Sequence, residues 1–189
     1  RRFSVQVSSR PAKGNHSNTL PGKDVRPTTD RIKETLFNVI GPFFDGGKVL
    51  DLFAGTGALG IEALSRGAEE AIFVERSRAV KHVRDNLKRA GFHRQAEVFH
   101  QDARRILPFL IKRALRFDLI FLDPPYLDPI LLPILERIDR GKLLDKDGIL
   151  VAEHSVKYVL PEKVGSLVVT RTLHFGDTII DLYQHCAES

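Results

Sequence analysis

The chain has 189 residues, a formal net charge of +5 and one cysteine, Cys186. This length suits a single domain with a substantial core. A single cysteine excludes an internal disulfide, and the absence of disulfides is usual for proteins of the reducing cytoplasm. The sequence contains no run of roughly 20 apolar residues and does not open with a signal-peptide pattern. We therefore expect a cytoplasmic protein without a membrane segment.

Positive charge is concentrated at the start of the chain. Residues 1–33 carry eight Lys or Arg side chains against two Asp, a local charge of +6. A basic segment containing Gly and Pro ahead of a catalytic core is typical of nucleic-acid contact, although a solvated tail has a similar composition. We predict a basic arm or hairpin at 1–25 that contacts nucleic acid and a main domain at 26–189, with Thr29 or Asp30 capping its first helix.

From Lys48 onward, strand-like and helix-like segments alternate, which predicts a parallel sheet with right-handed crossovers. The predicted strands are 48–53, 71–74, 96–100, 117–122 and 149–153. The predicted helices are 57–66, 77–90, 103–115 and 130–137, and Pro108 should be tolerated only near a first helical turn. Two strand-like runs, 167–175 and 178–184, flank Gly176-Asp177, so an antiparallel hairpin should close the sheet.

The segment 48–64 has the pattern of a buried strand, a glycine turn and a helix. Gly55, Gly57 and Gly60 have the G-x-G-x-x-G spacing of loops whose backbone N–H groups face a nucleotide at a helix N-terminus. NAD sites and S-adenosyl-L-methionine (SAM) sites share this spacing. It also occurs in turns that only pack a helix against a strand.

Two carboxylates near the glycines favour SAM over NAD. Asp51 stands at a strand end where a dinucleotide site usually has an apolar residue. Glu75 ends the next strand, where it can accept hydrogen bonds from ribose hydroxyls. Both would repel a pyrophosphate, whereas they suit the cationic sulfonium and amino group of SAM.

The fourth predicted strand runs into Asp123-Pro124-Pro125-Tyr126, a turn that the two prolines make rigid. The Asp123 carboxylate and the Pro124 carbonyl can each accept an N–H bond from the exocyclic amine of a purine. This would direct the nitrogen lone pair at a methyl group and stabilise the positive charge that develops on nitrogen. Tyr126 offers a flat face for stacking the base. This chemistry requires neither a metal nor a nucleophilic serine, and His154 is the one histidine expected near the site.

Together these motifs resemble the RsmD-like family of 16S rRNA (guanine-N2)-methyltransferases. The matching segments are 26–31, 50–67, 123–126 and 175–178, and the resemblance covers most of 26–184. It implies an α/β class I (Rossmann-like) methyltransferase fold with a seven-stranded, mostly parallel sheet closed by an antiparallel hairpin. It also implies methyl transfer from SAM to N2 of a guanine in 16S rRNA, within an assembling 30S subunit. We expect a monomer without a metal ion.

The resemblance further implies roles for individual residues. The cofactor-binding residues would be Asp51, Leu52, Phe53, Ala54, Gly55, Gly57, Glu75, Arg76, Asp102 and Ala103. The catalytic residues would be Asp123, Pro124, Pro125 and Tyr126, and the residues in contact with the RNA would be Arg26, Thr28, Arg31 and Tyr126. Residues 1–22 depart from the basic, Gly-rich hairpin that the family usually carries.

Four other functions share part of this pattern. DNA adenine-N6 methyltransferases resemble the Asp-Pro-Pro-Tyr run but usually add a target-recognition region, for which this chain has little room. Protein glutamine methyltransferases tend to have Asn in place of Asp123. A NAD-dependent oxidoreductase would use the glycines and Glu75 but not Asp-Pro-Pro-Tyr. A non-catalytic RNA-binding module would explain only the charge.

Overall fold

The computed structural model describes residues 29–125 and 129–187. Within these ranges eight strands form one sheet, in the order β3-β2-β1-β4-β5-β8-β7-β6. The strands are β1 Lys48–Asp51, β2 Glu70–Glu75, β3 Ala96–His100, β4 Phe117–Leu122, β5 Leu144–Ser155, β6 Lys163–Val164, β7 Leu167–Phe175 and β8 Thr178–His185. The helices are α1 Asp30–Ile40, α2 Ala58–Ser65, α3 Val80–Ala90, α4 Ala103–Lys112 and α5 Leu131–Arg140, with a short 3-10 turn at His93–Gln95.

Parallel pairing joins the five strands from β3 to β5, and antiparallel pairing adds β8, β7 and β6. The prediction of a parallel sheet closed by an antiparallel hairpin is therefore confirmed. The structure adds an eighth strand, β6, which is two residues long and pairs with the start of β7. β5 begins at Leu144 rather than at residue 149, because the segment around Asp147-Gly148 is a bulge in its pairing with β4.

Helices cover both faces of the sheet, so its central strands are buried on both sides and have nearly continuous apolar sequences. One face packs against α1, α2 and α3, where Phe37, Phe73 and Phe121 are fully buried. The other face packs against α4 and α5 through Leu107 and Ile134. None of the helices in the described ranges is long and apolar enough to cross a membrane.

The first helix begins as the sequence predicts. Thr29 is the N-cap of α1, and its side-chain oxygen accepts a hydrogen bond from the Ile32 N–H at 3.3 Å. The third helix begins later than predicted, at Val80, because the Ser77 hydroxyl accepts from the Ala79 N–H at 3.1 Å and forms a separate turn. α3 therefore starts one turn beyond the end of β2.

Pro108 lies in the middle of α4, so the expectation that it would be tolerated only near a first turn is wrong. A proline has no N–H, so the Arg104 carbonyl one turn earlier loses its helical donor. In the structure this carbonyl accepts a hydrogen bond from Arg137 Nη1 at 2.9 Å. A side chain of α5 thus replaces the missing backbone donor and joins the two helices.

We expect Arg137→Met to lower the free energy of unfolding by about 1–2 kcal/mol, because the Arg104 carbonyl loses this donor. The substitution should cost less in a Pro108→Ala background, where the introduced alanine restores the backbone N–H. Urea denaturation of the four proteins of this double-mutant cycle measures both effects. Arg140→Met, an exposed change on the same helix, is the control. Equal costs of Arg137→Met in the two backgrounds would contradict this explanation.

Candidate active site

The carboxyl ends of the parallel strands form one edge of the sheet, where open α/β sheets bind their ligands. Asp51 is the last residue of β1, in register with Phe73 of β2 and Phe121 of β4. Two backbone hydrogen bonds extend β1 beyond this point, from the Leu52 N–H to the Phe121 carbonyl at 3.2 Å and from the Ala54 N–H to the Val74 carbonyl at 2.9 Å. Asp51 is therefore held between both neighbouring strands.

The glycine turn connects β1 to α2. Gly55 and Gly57 have φ angles of 57° and 86°, a left-handed conformation that favours glycine. Gly57 is the N-cap of α2. A Cβ on Gly60 would clash with the Phe73 ring, so this glycine lets α2 pack directly on β2. The three glycines thus bring the start of α2 to the end of β1.

Asp51 is a carboxylic acid buried at the base of this turn, with 1% of its surface exposed. Its Oδ2 accepts a hydrogen bond from the Gly60 N–H at 3.1 Å. Burial raises the pKa of Asp51 to about 7; the Gly60 hydrogen bond opposes this rise and the nearby Glu75 charge adds to it. No described Lys, Arg or His forms an ion pair with this carboxyl. A cationic ligand would stabilise its ionised form.

Hydrogen bonds to Glu75 connect the glycine turn to the end of β2. Its Oε1 accepts from the Gly55 N–H and its Oε2 from the Ser77 N–H, both at 2.8 Å. Sequence reasoning identified Glu75 but not this double backbone contact. A carboxylate has about four acceptor positions, so Glu75 can still accept hydrogen bonds from a ligand.

Asp102 and Arg76 lie at the neighbouring ends of β3 and β2. Asp102 is the N-cap of α4, and its Oδ1 accepts from the Arg104 N–H at 2.8 Å and from Arg104 Nε at 3.2 Å. These Arg104 hydrogen bonds, with a smaller contribution from the Arg76 guanidinium, lower the pKa of Asp102. The predicted cofactor residues Arg76, Asp102 and Ala103 are thus brought to the same edge as Glu75.

The residues between Asp51 and the glycines mostly face the protein interior. Leu52 and Ala54 are buried on opposite faces of the sheet, and Phe53 packs, partly exposed, against the same core cluster as Leu52. Any contact that these three residues make with a ligand would therefore come mainly from their backbone.

Asn86 of α3 supports the glycine turn and was not identified from the sequence. Its Nδ2 donates to the Thr56 carbonyl at 3.0 Å, and the residue is buried. Asn86 lies on the apolar face of α3, next to Val83 and Leu87. A polar residue on an apolar helix face is the signal that could have identified it.

Asp123 and the two prolines directly follow β4. Asp123 is partly exposed, Pro124 is buried and Pro125 is exposed. Leu122 pairs with Ala152 of β5, so this turn lies beside the end of β5. Tyr126, Arg26 and Thr28 lie outside the described residues, and Arg31 is exposed in the first turn of α1.

His154, near the end of β5, is part of a buried polar network. Its Nε2 lies 2.7 Å from Asp181 Oδ2 and its Nδ1 lies 3.0 Å from the Ser155 carbonyl. The Thr172 hydroxyl donates to Asp181 Oδ1 at 2.6 Å. Burial by itself lowers the pKa of His154, but the hydrogen bonds to Asp181 and Ser155 outweigh it and raise that pKa. Because both ring nitrogens face oxygen atoms, the imidazolium form fits this network, which joins β5 to β8 and β7.

The geometry defines a ligand site with two acidic groups beside a glycine turn and a rigid Asp-Pro-Pro turn on the adjacent strand. Within residues 29–125 and 129–187, no group of three His, Cys, Asp or Glu side chains is arranged to hold a metal ion. The arrangement is that of a class I methyltransferase, in which SAM is the cofactor. The carboxylate pair suits the positively charged sulfonium and amino group of SAM.

Comparison with known proteins identifies the family. The model of the family described as "Conserved hypothetical protein 95" matches residues 5–184, and the chain belongs to this family. "Putative rRNA methyltransferase YlbH" of Bacillus subtilis (strain 168) is 48% identical over 95% of this chain and 98% of its own length. "Ribosomal RNA small subunit methyltransferase D" of Escherichia coli (strain K12) is 34% identical over 87% of this chain and 81% of its own length.

A solved structure has the same fold. A conserved hypothetical protein of Streptococcus pyogenes superposes with a TM-score of 0.78 at 34% identity, over 83% of this chain and 97% of that one. The family match and the two rRNA methyltransferase relatives confirm the resemblance to the RsmD-like family, and with it the predictions of a class I methyltransferase fold and of SAM as the cofactor.

We expect Asp51→Asn to stabilise the ligand-free protein more at pH 8 than at pH 5. Asp51 titrates at about pH 7 in the folded protein and near 3.8 in the unfolded chain. Between these values the unfolded chain binds fewer protons, so this residue makes stability fall as the pH rises. Asn cannot ionise, and its advantage over Asp should grow by about 2–3 kcal/mol between the two pH values.

Urea denaturation at both pH values measures this difference. Asp45→Asn, a change at an exposed carboxylate ahead of β1, is the control and should show no such growth. A constant difference between Asp51→Asn and the unsubstituted protein would mean that the pKa of Asp51 is not raised.

Proposed function

We propose that this protein transfers a methyl group from SAM to the exocyclic N2 of a guanine in 16S rRNA. The observation that carries the proposal is the position of the Asp51–Glu75 pair beside the Asp123-Pro124 turn, on adjacent strands at one sheet edge. The Asp51–Glu75 pair suits a cation, and the Asp123-Pro124 turn suits an amino group. The names of the two relatives support rRNA as the substrate class.

The cofactor residues have distinct roles in this proposal. SAM supplies a methyl group that is activated by the positive sulfonium to which it is bonded. The backbone of Asp51 to Gly57 surrounds the methionine end, and the buried Asp51 carboxylate attracts its positive charge. Glu75, with Arg76 beside it, accepts hydrogen bonds from the ribose, and Asp102-Ala103 border the adenine.

The Asp-Pro-Pro turn orients the acceptor nitrogen. The exocyclic amine of guanine is a weak nucleophile, because its lone pair is delocalised into the ring. The Asp123 carboxylate and the Pro124 carbonyl accept its two N–H bonds, which turns the lone pair out of conjugation. The carboxylate also stabilises the positive charge that develops on nitrogen during transfer, and it accepts the proton that the methylated amine then loses. The prolines keep both acceptors fixed, so little reorganisation accompanies the reaction.

The proposed reaction also requires that the target base be accessible to the site. N2 of guanine is engaged in Watson–Crick pairing within a helix, so the target base must be unpaired or flipped into the site. In our proposal Tyr126 stacks on that base, and Arg26, Thr28 and Arg31 contact the RNA together with the basic arm at 1–25. We further propose that the target lies in an assembling 30S subunit, and that the protein acts in the cytoplasm as a monomer.

We expect Asp123→Ala to lower kcat at least about 100-fold, because the acceptor amine loses its charged partner. SAM binding should be nearly unchanged, since the Asp51–Glu75 pair is intact. Methyl transfer to 30S subunits that lack the modification measures the first effect, and isothermal calorimetry measures the second. Asp45→Ala should leave both intact. Full activity of Asp123→Ala would contradict the proposed mechanism.

We also expect the affinity for SAM to rise with pH, because the ionised form of Asp51 binds the cation. With a pKa of about 7 in the free protein, binding at pH 6 should be about tenfold weaker than at pH 8. Asp51→Asn should bind weakly at both values and lose this dependence. Dissociation constants from calorimetry test this, and an unchanged constant in the variant would count against the assignment of Asp51.

A further inference from the structure

We propose that the side of the protein along the edge strand β3 is an RNA-docking surface, formed by residues other than those of the N-terminal arm. It rests on the proposed function, since its ligand is the backbone and bases of the rRNA that flank the target guanine. We define the β3-edge surface by six residues that surround the edge strand. They are Lys81, Arg84, Lys88, Arg94, Phe109 and Arg113.

The segment that forms the β3-edge surface is strongly basic compared with the rest of the chain. Residues 76–116 contain twelve Lys or Arg against three Asp or Glu, a local charge of +9. The chain outside 1–33 and 76–116 has a net charge of −10. Solvated surfaces usually mix both signs of charge. A concentration of one sign that exceeds the net charge of the whole protein points to a polyanionic partner.

The α3 helix presents a row of cations. Lys81, Arg84 and Lys88 are exposed and are spaced three and four residues apart, so they lie on one helix face along about 10 Å. None of them forms an ion pair with a described residue, and Asp85 is the one acidic residue of α3. Unpaired cations in a row can neutralise successive phosphates, with release of bound counterions.

The α4 helix adds an exposed aromatic residue. Phe109 is 43% exposed, and its ring lies edge-on to Phe99 of β3 with 5.9 Å between the centroids. The Arg113 guanidinium lies over the Phe109 ring, 5.3 Å from its centroid. An aromatic ring held in place beside a guanidinium is suited to stacking an unpaired base.

These two features belong to one continuous surface. α3 packs against β3 from one face of the sheet, and the short turn His93–Gln95 leads from α3 into β3. Arg94 of that turn and Arg113 at the end of α4 line the same open cleft, of about 250 Å³, together with Glu70 and Glu97. Arg113 forms an ion pair with Glu97 at 3.7 Å, whereas Arg94 forms none with a described residue. Cations therefore extend from α3 around the edge strand to α4.

The surface begins close to the active site. The start of α3 follows Glu75 and Ser77, which border the glycine turn. From there the helix runs back toward the amino ends of the parallel strands. RNA whose target base occupies the site can therefore place neighbouring nucleotides along α3.

The test compares two triple variants that remove equal charge. Lys81→Gln/Arg84→Gln/Lys88→Gln changes the β3-edge surface. The control, Lys146→Gln/Lys163→Gln/Arg171→Gln, changes exposed residues of β5, β6 and β7 toward the other end of the sheet. Filter binding to 16S rRNA is measured from 50 to 300 mM salt, about the range over which phosphate contacts weaken strongly. SAM affinity and the melting temperature are measured for each variant.

We expect the α3 variant to bind 16S rRNA about tenfold more weakly than the unsubstituted protein at 150 mM salt. The slope of log affinity against log salt should become shallower by about two to three, since up to three phosphate contacts are lost. The control should change neither quantity appreciably. Methyl transfer at saturating RNA and SAM affinity should be unchanged in both variants.

Phe109→Ala provides an independent second variant. It should weaken RNA binding without changing the salt slope, because stacking on a base involves no counterion release.

Equal effects of the two triple variants, or unchanged RNA binding by the α3 variant, would overturn the docking surface. Preference for vesicles of anionic lipid over RNA, lost in the same variant, would also overturn it. An unsubstituted protein that binds the rRNA but forms no N2-methylguanosine would instead overturn the proposed function. The two failures are therefore distinguishable.

Discussion

The buried Asp51 carboxyl is the constraint on which the candidate active site depends. An apolar residue at this strand end would be more stable, since burial opposes the ionised form of a carboxylic acid. The structure keeps the acid in place through the Gly60 N–H, while Glu75 binds the Gly55 N–H and Asn86 holds the next carbonyl of the turn. A buried carboxyl whose ionised form is destabilised, and which forms no ion pair with a described residue, is suited to binding a cation.

Much of the fold follows from local features of the sequence. The apolar runs and glycine spacing predict the strands, the turn and α2 because each depends on residues adjacent in the chain. The replacement of the Pro108 donor by Arg137 and the support of the glycine turn by Asn86 could not be predicted, since they join elements far apart in sequence. Likewise, the motifs mark Asp51 and Glu75 as candidate site residues, whereas the two backbone N–H groups that Glu75 binds emerge only from the fold.

The protein separates two opposite electrostatic requirements. A cationic cofactor needs carboxylates, and these lie buried or partly buried at the strand ends. A polyanionic substrate needs cations, and these are exposed on α3, α4 and the turn before β3. Because surface charges are screened over about 8–10 Å in physiological salt, the two sets can work side by side. In our proposal, phosphates are attracted to the flanks of the site, while its interior favours positive charge.

The most direct test of the proposed function is a methyl-transfer reaction with SAM. The substrates are 16S rRNA and 30S subunits that lack the modification, digested to nucleosides and analysed by mass spectrometry. The proposed function predicts N2-methylguanosine in the RNA, at a single guanine once the position is mapped. N6-methyladenosine in its place, or methyl label found only in protein, would contradict that function while leaving the methyltransferase fold intact.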